Sequence, residues 1–201
     1  MSHFDRRAAI VSLGILISLG SAACGKGAET ADSAAAAPAM APSVQAPVDA
    51  ALNDAQIAHI VVTANSIDSA AGVAAKAKGM SKTVKDFAQT MITDHSGVNV
   101  KATALATKLG VTPEDNTTSQ QLQAGAAESA AALQGMSGAN FDRAYIDREV
   151  GYHEAVLDAL DKTLVPGAQN AELKALMVNV RPAFVAHLEH ARRLRESLGT
   201  R

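Results

Sequence analysis

Three stretches of this 201-residue chain repeat apolar residues at alternating steps of three and four, and each sets a histidine near the middle of its stripe. The first runs Val84, Ala88, Met91, His95, Val98, Ala102, Leu105 and Leu109. The second runs Ile146, Val150, His153, Leu157, Leu160 and Leu164, and the third Leu173, Leu176, Val180, Phe184, His187, Ala191, Leu194 and Leu198. Such spacing is the seam of a long amphipathic helix packed along other helices. The chain is therefore expected to be an all-α bundle. His95, His153 and His187 are expected to face its interior, where aliphatic residues are the rule.

The remaining composition agrees. Hydrophobic residues make up 48% of the chain with alanine prominent, aromatics only 3%, and tryptophan is missing. That balance favours closely packed helices over sheets. A formal net charge of −2 gives no electrostatic basis for binding nucleic acid. One cysteine permits neither an internal disulfide nor a multi-cysteine zinc site.

The cysteine has a telling position. Arg6 and Arg7 form a positive start, Ala8 to Gly20 an apolar run too short for a comfortable transmembrane span, and Ser21-Ala22-Ala23 a small-residue cleavage site before Cys24. This order resembles a bacterial lipobox. Residues 1–23 are read as a lipoprotein-type signal peptide, and Cys24 as the lipidated first residue of the mature chain. The competing reading is a plain secretory signal cut at the same bond, leaving a free thiol. The Arg6-Arg7 pair also leaves twin-arginine export open beside the general route. The expected location is the bacterial cell envelope, with the membrane (outer membrane foremost) as partner through Cys24 and the domain facing the periplasm. Residues 24–52 are rich in Ala, Pro, Ser and Gly, with Pro38, Pro42 and Pro47 and almost no large apolar side chains. They are read as a disordered tether with a reach of about 30 Å.

Residues 53–199 are the expected folded domain. A first helix is capped at Asn53 or Asp54, carries the stripe Ile57, Ile60, Val61, Ala64, Ile67 and Ala71, and stops at Gly79. His59 lies off that stripe and Asp68 at its edge. A second helix from Ser81 to Gly110 is about 42 Å long, with Asp94 on the flank of its seam. Thr118 and Gln121 fit a capping box for a short alanine-rich helix ending near Gln134 and anchored by Leu122 and Leu133. A third long helix from about Asn140 to Leu164 brings Asp142, Glu149 and His153 to its inner face, with Glu149 and His153 one turn apart. After Pro166-Gly167, a fourth runs from Asn170 to Leu198, with a kink expected at Pro182 and Arg192, Arg193 and Arg195 suiting its C-terminal end. The connection between the second and third long helices is too long for a tight turn. The pattern is a ferritin-like four-helix bundle with a short extra helix in that crossover.

Several local motifs occur in order: Val84-Lys85-Asp86-Phe87-Ala88, Met91 with Asp94-His95, Phe141-Asp142-Arg143-Ala144-Tyr145 with His153, and His187-Leu188. Over Asp54 to Leu198 the chain resembles the ferritin-like bacterial envelope family catalogued as domain of unknown function 4142. The resemblance implies a ferritin-like bundle in an exported protein and no established activity. Di-iron members of the wider class carry Glu-x-x-His on two helices. Here Ile92, Val150 and Phe184 stand three residues before the histidines, so carboxylate-bridged di-iron oxidase chemistry is not expected.

Two functional readings follow. In the first, the protein has a structural or interaction role without identifiable catalytic chemistry. The inward histidines then bond to Asp68, Asp142, Glu149 or Tyr145 and form a polar layer that sets helix register. In the alternative, His95, His153 and His187 hold one transition-metal ion (Zn, Cu or Fe), with Glu149 or a water as a further ligand, or Glu149 orienting His153. Haem attachment lacks a Cys-x-x-Cys-His, and hydrolase chemistry lacks a nucleophile elbow or a glycine-rich phosphate loop. Both functional readings place the three histidines in one cross-section, with His59 and His190 outside it. No substrate or protein partner is named by any motif.

Overall fold

The computed structural model describes residues 51–199, which belong to one compact unit. The signal peptide, Cys24 and nearly all of the tether lie outside the described residues. All regular structure among the described residues is helical: α1 (Asp54–Lys78), α2 (Lys82–Leu109), α3 (Thr117–Gln134), α4 (Gly138–Ala159) and α5 (Ala171–Gly199). Between α4 and α5 the chain continues through a π-helical turn (Leu160–Leu164) and a last α turn (Val165–Gly167). The all-α bundle expected from the seams is the observed architecture.

Contacts at the helix ends define the topology. Asn116, before α3, bonds to the Gln56 carbonyl near the start of α1, whereas Lys78 at the end of α1 donates to the carbonyls of Leu133 and Gln134 at the end of α3. Hence α3 runs alongside α1 in the same direction. Asp142 near the start of α4 accepts from the backbone of Met80 and Ser81, so α4 begins at the end where α2 begins. Asp54 accepts from the N–H groups of Gln169 and Asn170, placing the start of α5 beside the start of α1. If α1 is taken as pointing up, the four long helices run up, down, down and up. α3 climbs alongside α1 as the crossover between the two parallel helices α2 and α4, which sit diagonally across the bundle.

Local chemistry explains the boundaries. Asn53 and Gln56 form a reciprocal capping box at α1. The cap of α3 is Asn116 paired with Ser119, two residues earlier than the Thr118–Gln121 box expected from the sequence; Asn116 is the stronger N-cap residue, its amide donates to the Glu114 carbonyl, and Ser119 also donates to Asp115. Gly110 ends α2 in the left-handed region at φ 64°, where glycine carries no side-chain clash. Ser81 stands at the cap of α2, but its hydroxyl pairs with Thr83 rather than with the backbone. Asp142, itself buried, satisfies the incoming N–H groups instead, at 2.9 and 2.7 Å. α5 passes through Pro182 without interruption.

The core follows the expected seams on α2, α4 and α5, with Phe87, Phe141, Tyr145, Ile146 and Met177 filling the interior. On α1 the buried face differs from the expected stripe. It runs Ile57, Val61, Asn65, Asp68, Gly72 and Ala75, while Ala64, Ile67 and Ala71 are only half-buried. A Cβ on Gly72 would come within 2.9 Å of the Ala88 carbonyl, so α1 and α2 approach here closely enough to exclude a side chain. By length and hydropathy α1 is apolar enough to cross a membrane, yet it serves as a wall of this core.

Candidate metal centre

Halfway along the bundle, the seams deliver polar side chains to one layer. α2 contributes His95, α4 His153 and α5 His187, all buried. Their ring centroids form a near-equilateral triangle with sides of 5.5, 5.3 and 5.4 Å. Each offers a ring nitrogen, and these three atoms lie within 4.8 Å of one another. α1 closes the fourth side with Asp68, whose Oδ2 is 2.8 Å from His95 Nε2 and 3.8 Å from His153 Nε2. His59 and His190 stay outside this layer. His59 approaches Asp115 at 3.7 Å, and His190 packs edge-on against Phe87.

The outward-facing atom of each of the four residues is held by a second group. His95 Nδ1 lies 2.8 Å from Asn65 Oδ1, and the Asn65 amide in turn donates to the Val61 carbonyl. His153 Nδ1 donates to the Glu149 carbonyl at 2.9 Å, because a carbonyl can only accept. His187 Nε2 meets Asp94 Oδ2 at 2.8 Å, and Asp94 is the member of the group that reaches the surface. Asp68 Oδ1 accepts from Arg148 at 2.6 Å. These partners set the tautomers: with the outer nitrogen carrying the hydrogen, the neutral ring presents a bare lone pair inward.

The inward-facing atoms have no such partners. His95 Nε2, His153 Nε2, His187 Nδ1 and Asp68 Oδ2 are all buried without a hydrogen bond, as is Glu149 Oε2. The 2.8 Å approach of His95 Nε2 to Asp68 Oδ2 has ion-pair distance but lacks hydrogen-bond alignment. Buried polar atoms are nearly always paired, and several orphaned ones facing each other are electrostatically unfavourable without a cation between them.

Protonation follows from burial. The His153 imidazole is pushed down to about 4 by burial, so it is neutral near pH 7. Burial also lowers His187, against the opposing bond to Asp94. Burial would raise Asp68, but its contact with His95, the positive charge that neighbouring imidazoles carry in acid, and Arg148 hold it far below the usual carboxylate range. Glu149 goes the other way: burial, and then the neighbouring Asp68 charge, push it well up. Its Oε1 accepts from Arg148 at 2.5 Å, and its Oε2 lies 3.6 Å from His153 Nδ1, the nitrogen already engaged by the backbone. Glu149 and Asp68 both stand beside the layer: Asp68 against His95 and His153, and Glu149 in a second group of candidate ligands with Asp68 and His153. Of the other expected partners of the histidines, Asp142 instead accepts from the turn before α2, and Tyr145 stands beside Glu149, one turn away on α4.

An apolar cavity of about 360 Å³ walled by Ile60, Val61, Leu160, Leu164 and Met177 comes up to His95 and Asn65 from one side. The π-helical turn supplies part of that wall, and Phe184 stacks on the His95 ring at 4.9 Å. A larger groove of about 700 Å³ between α1 and α3 is floored by alanines and touches the polar layer only at Arg148.

The chain belongs to the DUF4142 family, described as a domain of unknown function, whose model matches residues 37–194. No curated protein and no solved structure matches it.

Proposed function

We propose that this DUF4142 chain is a metal-binding protein of the bacterial envelope that holds a single transition-metal ion between His95, His153, His187 and Asp68. One observation carries the reading: the ring nitrogens of three buried histidines lie within 4.8 Å of one another with Asp68 Oδ2 against two of them, while the other polar atom of each residue is fixed from behind. Outer partners of this kind orient metal-ligating imidazoles and carboxylates and raise their basicity. Tetrahedral ligands on zinc stand about 3.3 Å apart, given bonds of roughly 2.0–2.1 Å. The gaps of 2.8 and 3.8 Å from Asp68 bracket that value, and the nitrogens reach it by a modest contraction. Three imidazoles and a carboxylate suit Zn, Cu or Fe rather than Mg or Ca. Four side-chain ligands fill a tetrahedral shell and leave no position for a reacting water, so the role is holding the ion rather than turnover.

The test is equilibrium dialysis of the chelator-treated protein against Co²⁺ or Zn²⁺. Wild type should retain one ion per chain and His95→Leu none, while His59→Ala and His190→Ala keep the ion. No retention by wild type, or full retention by His95→Leu, would defeat the reading. The polar-layer role is compatible with it, because the Arg148–Asp68 and His187–Asp94 pairs tie α4 to α1 and α5 to α2 with or without an ion.

Export and anchoring rest on the lipobox-like Ser21-Ala22-Ala23-Cys24. In this proposal the lipid on Cys24 holds the domain at the membrane, on the periplasmic side and foremost at the outer membrane. Cys24→Ala should shift the protein from the membrane pellet to the soluble envelope fraction. Unchanged pelleting would count against a lipid anchor.

A further inference from the structure

Beside the histidine layer the structure has two buried carboxylates already bridged by a cationic side chain. Asp68, Glu149 and His153 each offer one ligand atom, and these lie within 4.8 Å of one another. All three residues are buried, and Asp68 and Glu149 expose none of their surface. The two carboxylates at that spacing form a donor pair for a divalent cation, while His153 only flanks them, its Nδ1–H given to the Glu149 carbonyl and its Nε2 turned to the histidine layer. The Arg148 guanidinium bridges the two carboxylates. One of its nitrogens donates to Asp68 Oδ1 at 2.6 Å and to Glu149 Oε1 at 2.5 Å, so a single atom bridges both carboxylates. The guanidinium lies over the Tyr152 ring at 4.4 Å, and the Tyr152 hydroxyl donates to the Ala64 carbonyl at 2.7 Å. This packing holds the side chain in place although it enters from the flank of α4. An arginine stays charged under all ordinary conditions, so the bridging cation is permanent.

We propose that Arg148 occupies the position of a second metal ion and thereby restricts the centre to one. The inference rests on the single-ion reading above and names the residue that sets its stoichiometry. Without Arg148, Asp68 and Glu149 would face each other as buried carboxylates lacking a counter-ion. A divalent cation would then compete with a proton on Glu149 for that position, and where the cation is supplied in excess Asp68 would be shared between two ions. Glu149, freed from its bond to Arg148, would offer Oε1 as its ligand.

The experiment compares Co²⁺ stoichiometry and electron paramagnetic resonance of wild type, R148A, R148K and R148A/E149Q, each checked for helical content by circular dichroism. Wild type and R148K should bind one ion, since lysine keeps a cation on the same stem. R148A should bind one ion more than wild type, and the shared Asp68 carboxylate should couple the two spins. R148A/E149Q, lacking the second carboxylate, should return to the wild-type number. If R148A loses its fold without metal, Co²⁺ should restore it, at the increased stoichiometry. A folded R148A with the wild-type stoichiometry overturns the proposal, as does an R148A that Co²⁺ cannot refold. The two readings fail separately. If wild type binds nothing, the four-atom centre is wrong, but a gain from zero to one in R148A still supports the role of Arg148.

Discussion

Saturating zinc should raise the unfolding free energy of the chelator-treated protein by about 4 kcal/mol when the free ion is at a thousandfold its dissociation constant. For a domain of this size that corresponds to a shift in melting temperature of about 10 °C or more. The effect follows from linkage: the unfolded chain scatters His95, His153, His187 and Asp68 over four helices, so only the folded state offers the complete ligand set. Differential scanning calorimetry with and without zinc reads the shift directly. His153→Ala should abolish it, because the ring whose tautomer the Glu149 carbonyl fixes supplies one of the converging nitrogens. His190→Ala should preserve it, since His190 packs against Phe87 away from the layer. An unchanged melting temperature in wild type, or an undiminished shift in His153→Ala, contradicts the centre.

Asp68→Ala should destabilise the metal-free protein by about 3 kcal/mol. Breaking a buried ion pair by removing one partner costs about 3–5 kcal/mol, because the remaining charge stays buried. The lower end applies, since Glu149 still accepts from Arg148 after the change. The contact of Asp68 with His95 is lost as well. Urea unfolding in the presence of chelator should show a lower midpoint with an unaltered slope. The same variant should lose the zinc-dependent shift, which separates its two roles in one protein. A loss below about 1 kcal/mol, typical of an exposed pair, would mean that Arg148 does not depend on Asp68 for its counter-charge.

Much of this arrangement was legible because three seams each have a histidine at mid-length. Whichever way helices of similar length run, their centres share a layer, so His95, His153 and His187 meet without any knowledge of topology. The crossover between α2 and α4 was legible from its length. Asp68 was only half visible, because the α1 stripe was traced through apolar residues alone. The real seam steps four, four, three, four and three through Ile57, Val61, Asn65, Asp68, Gly72 and Ala75, and two of its members are polar. Admitting polar residues to the periodicity would have exposed both Asn65 and Asp68. Arg148 left no such signal: it sits on the flank of α4, and its burial depends on carboxylates from two helices and on the Tyr152 ring. Asp94 was placed correctly on a flank, but its partner His187 is 93 residues away. Pairings of that separation have no local periodicity to betray them.

The cap of α2 has a consequence for how the chain folds. Met80 and Ser81 obtain their acceptor from Asp142, 62 and 61 residues further on. The α1–α2 hairpin is local and can form early, but its turn remains unfinished until α3 has traversed the bundle and α4 has docked. A contact made that late belongs to the native state more than to the folding transition state. Weakening it would act chiefly by speeding unfolding rather than slowing folding. The carboxylate thus works as a latch on the assembled bundle: the turn of a local hairpin is secured by a residue some sixty positions further on.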